Sequence, residues 1–219
     1  MMTMTTSSLN QAIKGRESSS YMGTLGEFID TSDAYLELVG SSRCGEVHTG
    51  KWSDGQAVVV KAAPVDNDEL LHELSVEVQA YERLHDLQGT IVPRVIAHGH
   101  GNIEGKLVGI LAIERIKDEE MLPAVDMDTR STLMGLTNEE RVRCTKAFDA
   151  IHDRGVAHGD VRGANLLFRR SQEGGNAPEP VFIDFGFSVF DTNAEAFQDT
   201  KMGDTYQLCD AFLGYCPYN

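Results

Sequence analysis

The sequence predicts an α+β fold, with a small antiparallel sheet and one helix in its first half and a mainly helical second half. Three observations predict it. Short β-branched and apolar runs bounded by Gly, Pro and Asn recur through the first half, the pattern of paired strands. A single amphipathic stripe crosses residues 67–87, the period of a helix with one buried face. A capping-box helix beginning at Thr137 then leads into two short apolar runs whose ends carry clustered polar and acidic residues.

Along the chain, Met1 to about Tyr21 is polar and Ser/Thr-rich, which fits a mobile tail, and residues 1–34 are read as tail and lead-in. Tyr35-Leu-Glu-Leu-Val39 reads as a strand running into Gly40-Ser-Ser42-Arg-Cys-Gly45-Glu-Val47, which by itself is a hairpin. Ala57-Val-Val59-Val60-Lys61 is a β-branched strand ending in a lysine. Asn67 to Leu87 reads as a helix with Leu70, Leu74, Val78, Tyr81 and Leu84 on one face. Glu77 falls inside that stripe, so its carboxylate points inward and needs a cation, for which Lys61 is the candidate. Glu73, one turn earlier, reads as a solvated neighbour.

Ile91-Val-Pro-Arg-Val-Ile and Leu107-Val-Gly-Ile-Leu-Ala-Ile113 complete the sheet, joined by a turn to which His98 and His100 are assigned. Thr137-Asn-Glu-Glu140 caps a helix with Val142, Cys144, Phe148 and Ile151 inward, closed by Gly155. Between Arg169 and Pro180 a Gly/Pro/Asn/Ser-rich stretch reads as a hairpin loop. Lys201 to Leu208 reads as one short closing helix, with Asp204 either solvated or bracing the loop at His158.

With 219 residues and 41% hydrophobic content the chain can bury a core. A net charge of −15 argues against nucleic acid or an anionic membrane as the main partner. Cys44, Cys144, Cys209 and Cys216 have no metal-ligand spacing and read as reduced thiols. No leader or membrane-spanning stretch is recognisable, which predicts an intracellular, cytoplasmic protein, with the nucleus left open.

The densest chemistry lies in His158-Gly-Asp160-Val-Arg162-Gly-Ala-Asn165, followed by Val181-Phe-Ile-Asp184-Phe185-Gly186. Either tripeptide alone is an ordinary turn. Together, joined to Leu166-Leu167-Phe168 and Val181-Phe182-Ile183, they read as two strands carrying polar groups at their ends. The first segment resembles the catalytic loop of the protein-kinase superfamily and the second its Asp-Phe-Gly turn. Gly40 to Val47 resembles the same superfamily's glycine-rich loop, with Ser42 at the middle glycine, and Lys61 its phosphate-gripping lysine, with Val59 where alanine is usual.

The resemblance covers roughly Tyr35 to Ser188 and implies a two-lobed protein-kinase-like fold, with a front lobe over about 35–116 and a shortened rear lobe over about 117–219. It implies ATP and Mg²⁺ between the lobes. Asp160 would orient the attacking hydroxyl, Arg162 would steady the transferred phosphoryl group, and Lys61 and Glu77 would form the orienting pair. Asn165 and Asp184 would hold the metal. Gly40, Gly45, Val47, Leu167 and Lys61 would contact nucleotide, while Glu114 and Ile116 would form the hinge at the adenine edge, with Ile113 behind it.

Gly159 replaces the arginine that many kinases use to anchor an activation-loop phosphate, and about thirty residues follow Gly186, with no Ala-Pro-Glu sequence. His-Gly-Asp and the compact rear lobe resemble the RIO group, the small kinase of the KEOPS complex and aminoglycoside phosphotransferases. The leading expectation is therefore a Ser/Thr-type protein kinase acting on a hydroxyl acceptor. A small-molecule phosphotransferase and a nucleotide-binding pseudokinase scaffold stand beside it, and an activating protein partner is left open.

Overall fold

The computed structural model describes residues 25–42, 45–116, 137–169 and 179–213, with side chains as far as residue 208. The N-terminal tail, Cys44, Cys216, most of the 169–180 loop and the start of the rear lobe lie outside the described residues, as does the side chain of Cys209. Five strands, β1 (Tyr35–Ser42), β2 (Gly45–Lys51), β3 (Ala57–Pro64), β4 (Val95–Ile103) and β5 (Lys106–Glu114), form one antiparallel sheet in the order β1-β2-β3-β5-β4. Helix α1 (Asp68–Arg83) packs on it. Behind follow α2 (Asn138–Asp153), the paired strands β6 (Leu166–Arg169) and β7 (Glu179–Phe182), and α3 (Glu195–Leu213).

β3 has almost no polar side chain, and Val58, Val60, Ala62 and Ala63 are buried on its two faces. One face meets α1; the other joins Ile103, Val108, Ile110 and Ala112 in a second apolar cluster. Asn67 caps α1 by accepting the Leu70 N–H at 3.2 Å, and the helix buries Leu71, Leu74, Glu77, Val78 and Tyr81. The helix ends at Arg83, and a 3₁₀ turn, His85–Leu87, takes the rest of the expected helical stretch.

His98 and His100 correct the sequence reading, because both lie within β4 and not in a turn. The turn is Glu104-Gly105, whose φ values of 52° and 82° are the left-handed pair that a two-residue hairpin requires. The histidines instead face the lead-in segment. His98 Nδ1 donates to Leu25 O at 2.9 Å and His100 Nδ1 to Gly26 O at 3.1 Å, while Ile29 N–H donates to His100 O. Leu25 is thereby fully buried beside Leu71 and Leu74.

α2 begins with the complete capping box, Thr137 and Glu140 bonding reciprocally. Cys144, Phe148 and Ile151 are buried, but Val142 is 51% exposed. Two residues along a helix turn the side chain through about 200°, so Val142 and Cys144 cannot share a face. One apolar cluster runs without a break from Leu71, Val78 and Tyr81 through Phe185 and Phe182 to Phe148 and Ile151, tying front and rear halves together. No helix among the described residues is long and apolar enough to cross a membrane.

Candidate active site

Three ionisable groups meet at the inner edge of the front sheet. Lys61 Nζ, on β3, donates to Glu77 Oε1 at 2.9 Å and Oε2 at 2.7 Å, and to Asp184 Oδ1 at 2.6 Å. Glu77 is fully buried and Lys61 8% exposed, so the carboxylate placed by α1 in an apolar stripe has the cation it needs. Burial pushes the Glu77 carboxyl above its usual range and Asp184 adds to that, while Lys61 opposes both. For Asp184 burial works in the same direction, but the charge and hydrogen bond of Lys61 outweigh it and hold that carboxyl below its usual value.

The sheet register sets the neighbours of Lys61. Gly40 opposes Val47, Val47 opposes Lys61, and Lys61 opposes Leu111, so these positions form one row across four strands. Paired residues present side chains to the same face. Val59, two residues before Lys61, shares that face opposite Ile113 and packs against the main core. At Gly45, φ is +119° and an added Cβ would stand 2.3 Å from Ala62 O, so only glycine lets β2 approach β3 there. Nothing lies within 4 Å of the equivalent atom at Gly40.

The loop after α2 is organised around a neutral imidazole. His158 is wholly buried; its Nε2 donates to Ile183 O at 3.1 Å and its Nδ1 accepts the Asp160 N–H at 3.2 Å. Burial holds its pKa below the ordinary value, which matches one donor and one acceptor nitrogen. Asp160 Oδ2 receives Asn165 Nδ2 at 2.9 Å and Arg162 Nε at 3.1 Å. Asn165 Nδ2 also donates to Asp160 O, which leaves the side-chain oxygen of Asn165 as the atom available to a cation.

Asp204 resolves the choice left open by the sequence. It is 1% exposed and accepts the N–H groups of His158 and Gly159 at 2.7 and 2.9 Å, with His152 Nε2 at 3.3 Å. It braces the loop and is not solvated. Gly159 is needed for a reason the sequence did not disclose: φ is +79° and an added Cβ would lie 2.4 Å from Phe187 O. Asp184 has a left-handed φ of 67°, which turns Phe185 into the core. There Phe185 packs between His158, centroids 4.6 Å apart, and Tyr81, centroids 5.4 Å apart and edge-on. The aromatic column links the two polar motifs to α1.

At the end of β5, Glu114 N–H donates to Arg94 O at 2.8 Å and Arg115 N–H to Ala57 O at 3.0 Å, so the backbone here is held from both sides. The Ile116 side chain is buried. Leu167, on β6, lies two residues after Asn165 and is half-buried. A separate cavity of about 250 Å³ opens between α1 and β4, lined by Val78, Tyr81, Val95 and His98 among others; none of the residues expected to hold nucleotide or metal lines it.

Among the described residues no group of three or more His, Cys, Asp or Glu side chains could hold a metal. The Asp184 carboxylate and the Asn165 side-chain oxygen are hard oxygen donors that could hold Mg²⁺ if phosphate and water filled its remaining positions.

The sequence model of the lipopolysaccharide kinase (Kdo/WaaP) family matches residues 72–201, more than half of the chain. That stretch contains Glu77, Asp160, Arg162, Asn165 and Asp184, and Lys61 precedes it. The chain is also 27% identical over 168 residues to a serine/threonine-protein kinase VRK1 from Caenorhabditis briggsae, an alignment covering 72% of this chain and 29% of the relative. It is 26% identical over 167 residues to the VRK1 kinase of Caenorhabditis elegans, covering 72% and 27%. The chain thus spans less than a third of the length of these curated relatives.

Proposed function

The chain belongs to the lipopolysaccharide kinase (Kdo/WaaP) family, within the protein-kinase-like superfamily, and from that premise we propose that it is an ATP-dependent phosphotransferase whose acceptor is a serine or threonine hydroxyl of a protein. The observation that carries the reading is Lys61, gripped by a fully buried Glu77 on one side and bonded to Asp184 on the other. A buried carboxylate costs several kcal/mol unless paired, so this arrangement has a use beyond packing.

In this reading Lys61 contacts the α and β phosphates of ATP, Val47 and Leu167 flank the adenine, and the backbone of Glu114 and Ile116 meets its edge. Gly40 and Gly45 bring main-chain N–H groups to the phosphates. Mg²⁺, when bound by Asn165 and Asp184, neutralises phosphate charge. Asp160 accepts the acceptor's hydroxyl proton as that oxygen bonds to the γ-phosphorus and the bond to the β-phosphate oxygen breaks, leaving ADP. Arg162, beside Asp160, steadies the charge on the transferred group.

A second reading is favoured by the description of the family itself: a sugar hydroxyl as acceptor. Both are tested by transfer of labelled γ-phosphate from Mg-ATP to generic proteins and to free sugars, comparing wild type with Asp160→Asn after both are shown to be folded. Transfer that disappears in the variant supports the proposal, and the acceptor labelled separates the two readings. Nucleotide-dependent thermal stabilisation without transfer to any acceptor would sink both and leave a pseudokinase scaffold, a reading that Ser42 and Val59 favour.

A further inference from the structure

Glu114 carries a second function besides its backbone. Its carboxylate is 12% exposed and lies between two guanidinium groups. Arg169 NH2, from β6 in the rear half, reaches Oε1 at 2.7 Å, and Arg94 Nε, from the loop before β4, reaches Oε2 at 3.3 Å. Arg169 is itself only 13% exposed and its NH1 donates to Gly89 O at 2.7 Å. One planar fork therefore holds the carboxylate at the end of β5 and the main chain after α1 at the same time.

The surroundings are built for this arrangement. Gly89 has φ +78°, and an added Cβ would stand 2.6 Å from Arg94 Nε, so the arginine lies directly on the glycine. Gly89 N–H is tied to Val92 O, and Phe182 N–H of β7 donates to Ile91 O at 2.9 Å, so the same loop is bonded to the rear strands. Leu167 and Arg169 alternate onto one face of β6. The strand thus offers an apolar side chain and, two residues on, the cation that grips the hinge.

We infer that Arg169 is a positioning residue: through Glu114 and Gly89 it sets the relation of the two halves at the hinge and so presents the Glu114 and Ile116 backbone at the spacing an adenine requires. The inference rests on the nucleotide-binding reading given above. Physically it follows from geometry: the hinge backbone is pinned to β3 and to the loop before β4 by its own N–H groups, and the Glu114 side chain connects it to β6. A misplacement of about 1 Å at a binding edge is enough to weaken binding strongly. Lysine at 169 has one charged nitrogen and cannot span both acceptors as the fork does.

The experiment uses the full chain as wild type, Arg169→Ala, Arg169→Lys, Glu114→Gln and the double variant. Backbone amide exchange without nucleotide is measured first. Exchange at Glu114, Arg115 and Val92 is expected to quicken about tenfold in Arg169→Ala while α2 keeps its protection. Mg-ATP titration follows: each single variant is expected to bind about three- to tenfold more weakly, with Arg169→Lys intermediate and the double variant no worse than either single. In any turnover assay KM for ATP should rise while kcat holds.

Unchanged hinge exchange, a lowered melting temperature with unaltered nucleotide affinity, or additive single effects would each overturn the inference. A wild type that binds no nucleotide would defeat the proposed function, and the exchange measurement alone would then decide whether the clasp exists.

Discussion

Asp204 Oδ2 accepts the backbone N–H of His158 at 2.7 Å, joining the middle of α3 to the start of the polar loop across 46 residues of chain. The other carboxylate oxygen takes Gly159 N–H, and His152 donates from α2. Asp204→Ala strands these three donors, so it should cost about 3 kcal/mol or more in urea denaturation. Asp204→Asn keeps one acceptor oxygen and should fall between. A loss below about 1 kcal/mol for the alanine variant would contradict the bracing role.

Lys61 couples two carboxyls of opposite tendency. Glu77 is raised from 4.5 by burial, so its contribution to stability declines as pH climbs above that value. Asp184 is lowered from 3.8, chiefly by Lys61 against its burial, so its contribution is present above 3.8 and lost as pH falls through its folded value. Lys61→Met removes what opposes the first shift and what causes the second. The stability gap between wild type and variant should therefore widen as pH rises, reaching about 3–5 kcal/mol near neutrality. Adding Glu77→Gln should recover part of it; a gap constant between about pH 5 and pH 8 would refute the coupling.

Gly159→Ala tests the backbone approach under the polar loop. The new Cβ would meet Phe187 O at 2.4 Å, and φ of +79° disfavours any L side chain. Main chain has little room to yield, so a loss of at least about 2 kcal/mol is expected. Gly40→Ala, with nothing within 4 Å, should lose far less. Equal losses at both sites would show that the contact is relieved without cost.

His158 is held neutral by burial, its ordinary value of 6.5 being lowered in the fold. The folded protein then binds fewer protons here than the unfolded chain. This contribution is complete above 6.5 and is lost as pH falls through the folded value. NMR titration should place the ring's midpoint below 6.5, with the proton on Nε2 at neutral pH. A midpoint above 6.5, or a proton on Nδ1, would be incompatible with the bonds to Ile183 and Asp160.

Much of the fold was legible because local patterns are set by short-range physics. The Thr137 cap, the α1 stripe and the two strands flanking the polar motifs all depend on neighbours within a few residues. Glu77 was legible for the same reason: a charge inside an apolar stripe predicts its own need for a cation. The errors at His98, His100 and Val142 also arise locally. Histidine and glycine in a run suggest a turn until a strap such as Leu25–Ile29 lines up along the same edge and consumes their hydrogen bonds. Val142 was counted inward by hydrophobicity, although helical geometry turns it away from Cys144.

By itself the sequence determined which reactive groups exist, their order, and the strand or helix that carries each, because spacing along an element fixes which side chains share a face. Only the tertiary structure decided that Asp204 is a brace, that Gly159 lies against Phe187, and that Glu114 is held by Arg169 from 55 residues away. An exposed and a buried acid are the same letter in a sequence. What separates them is desolvation, which is imposed by chain segments distant along the sequence, and a buried charge persists only where the fold brings a partner within hydrogen-bonding distance.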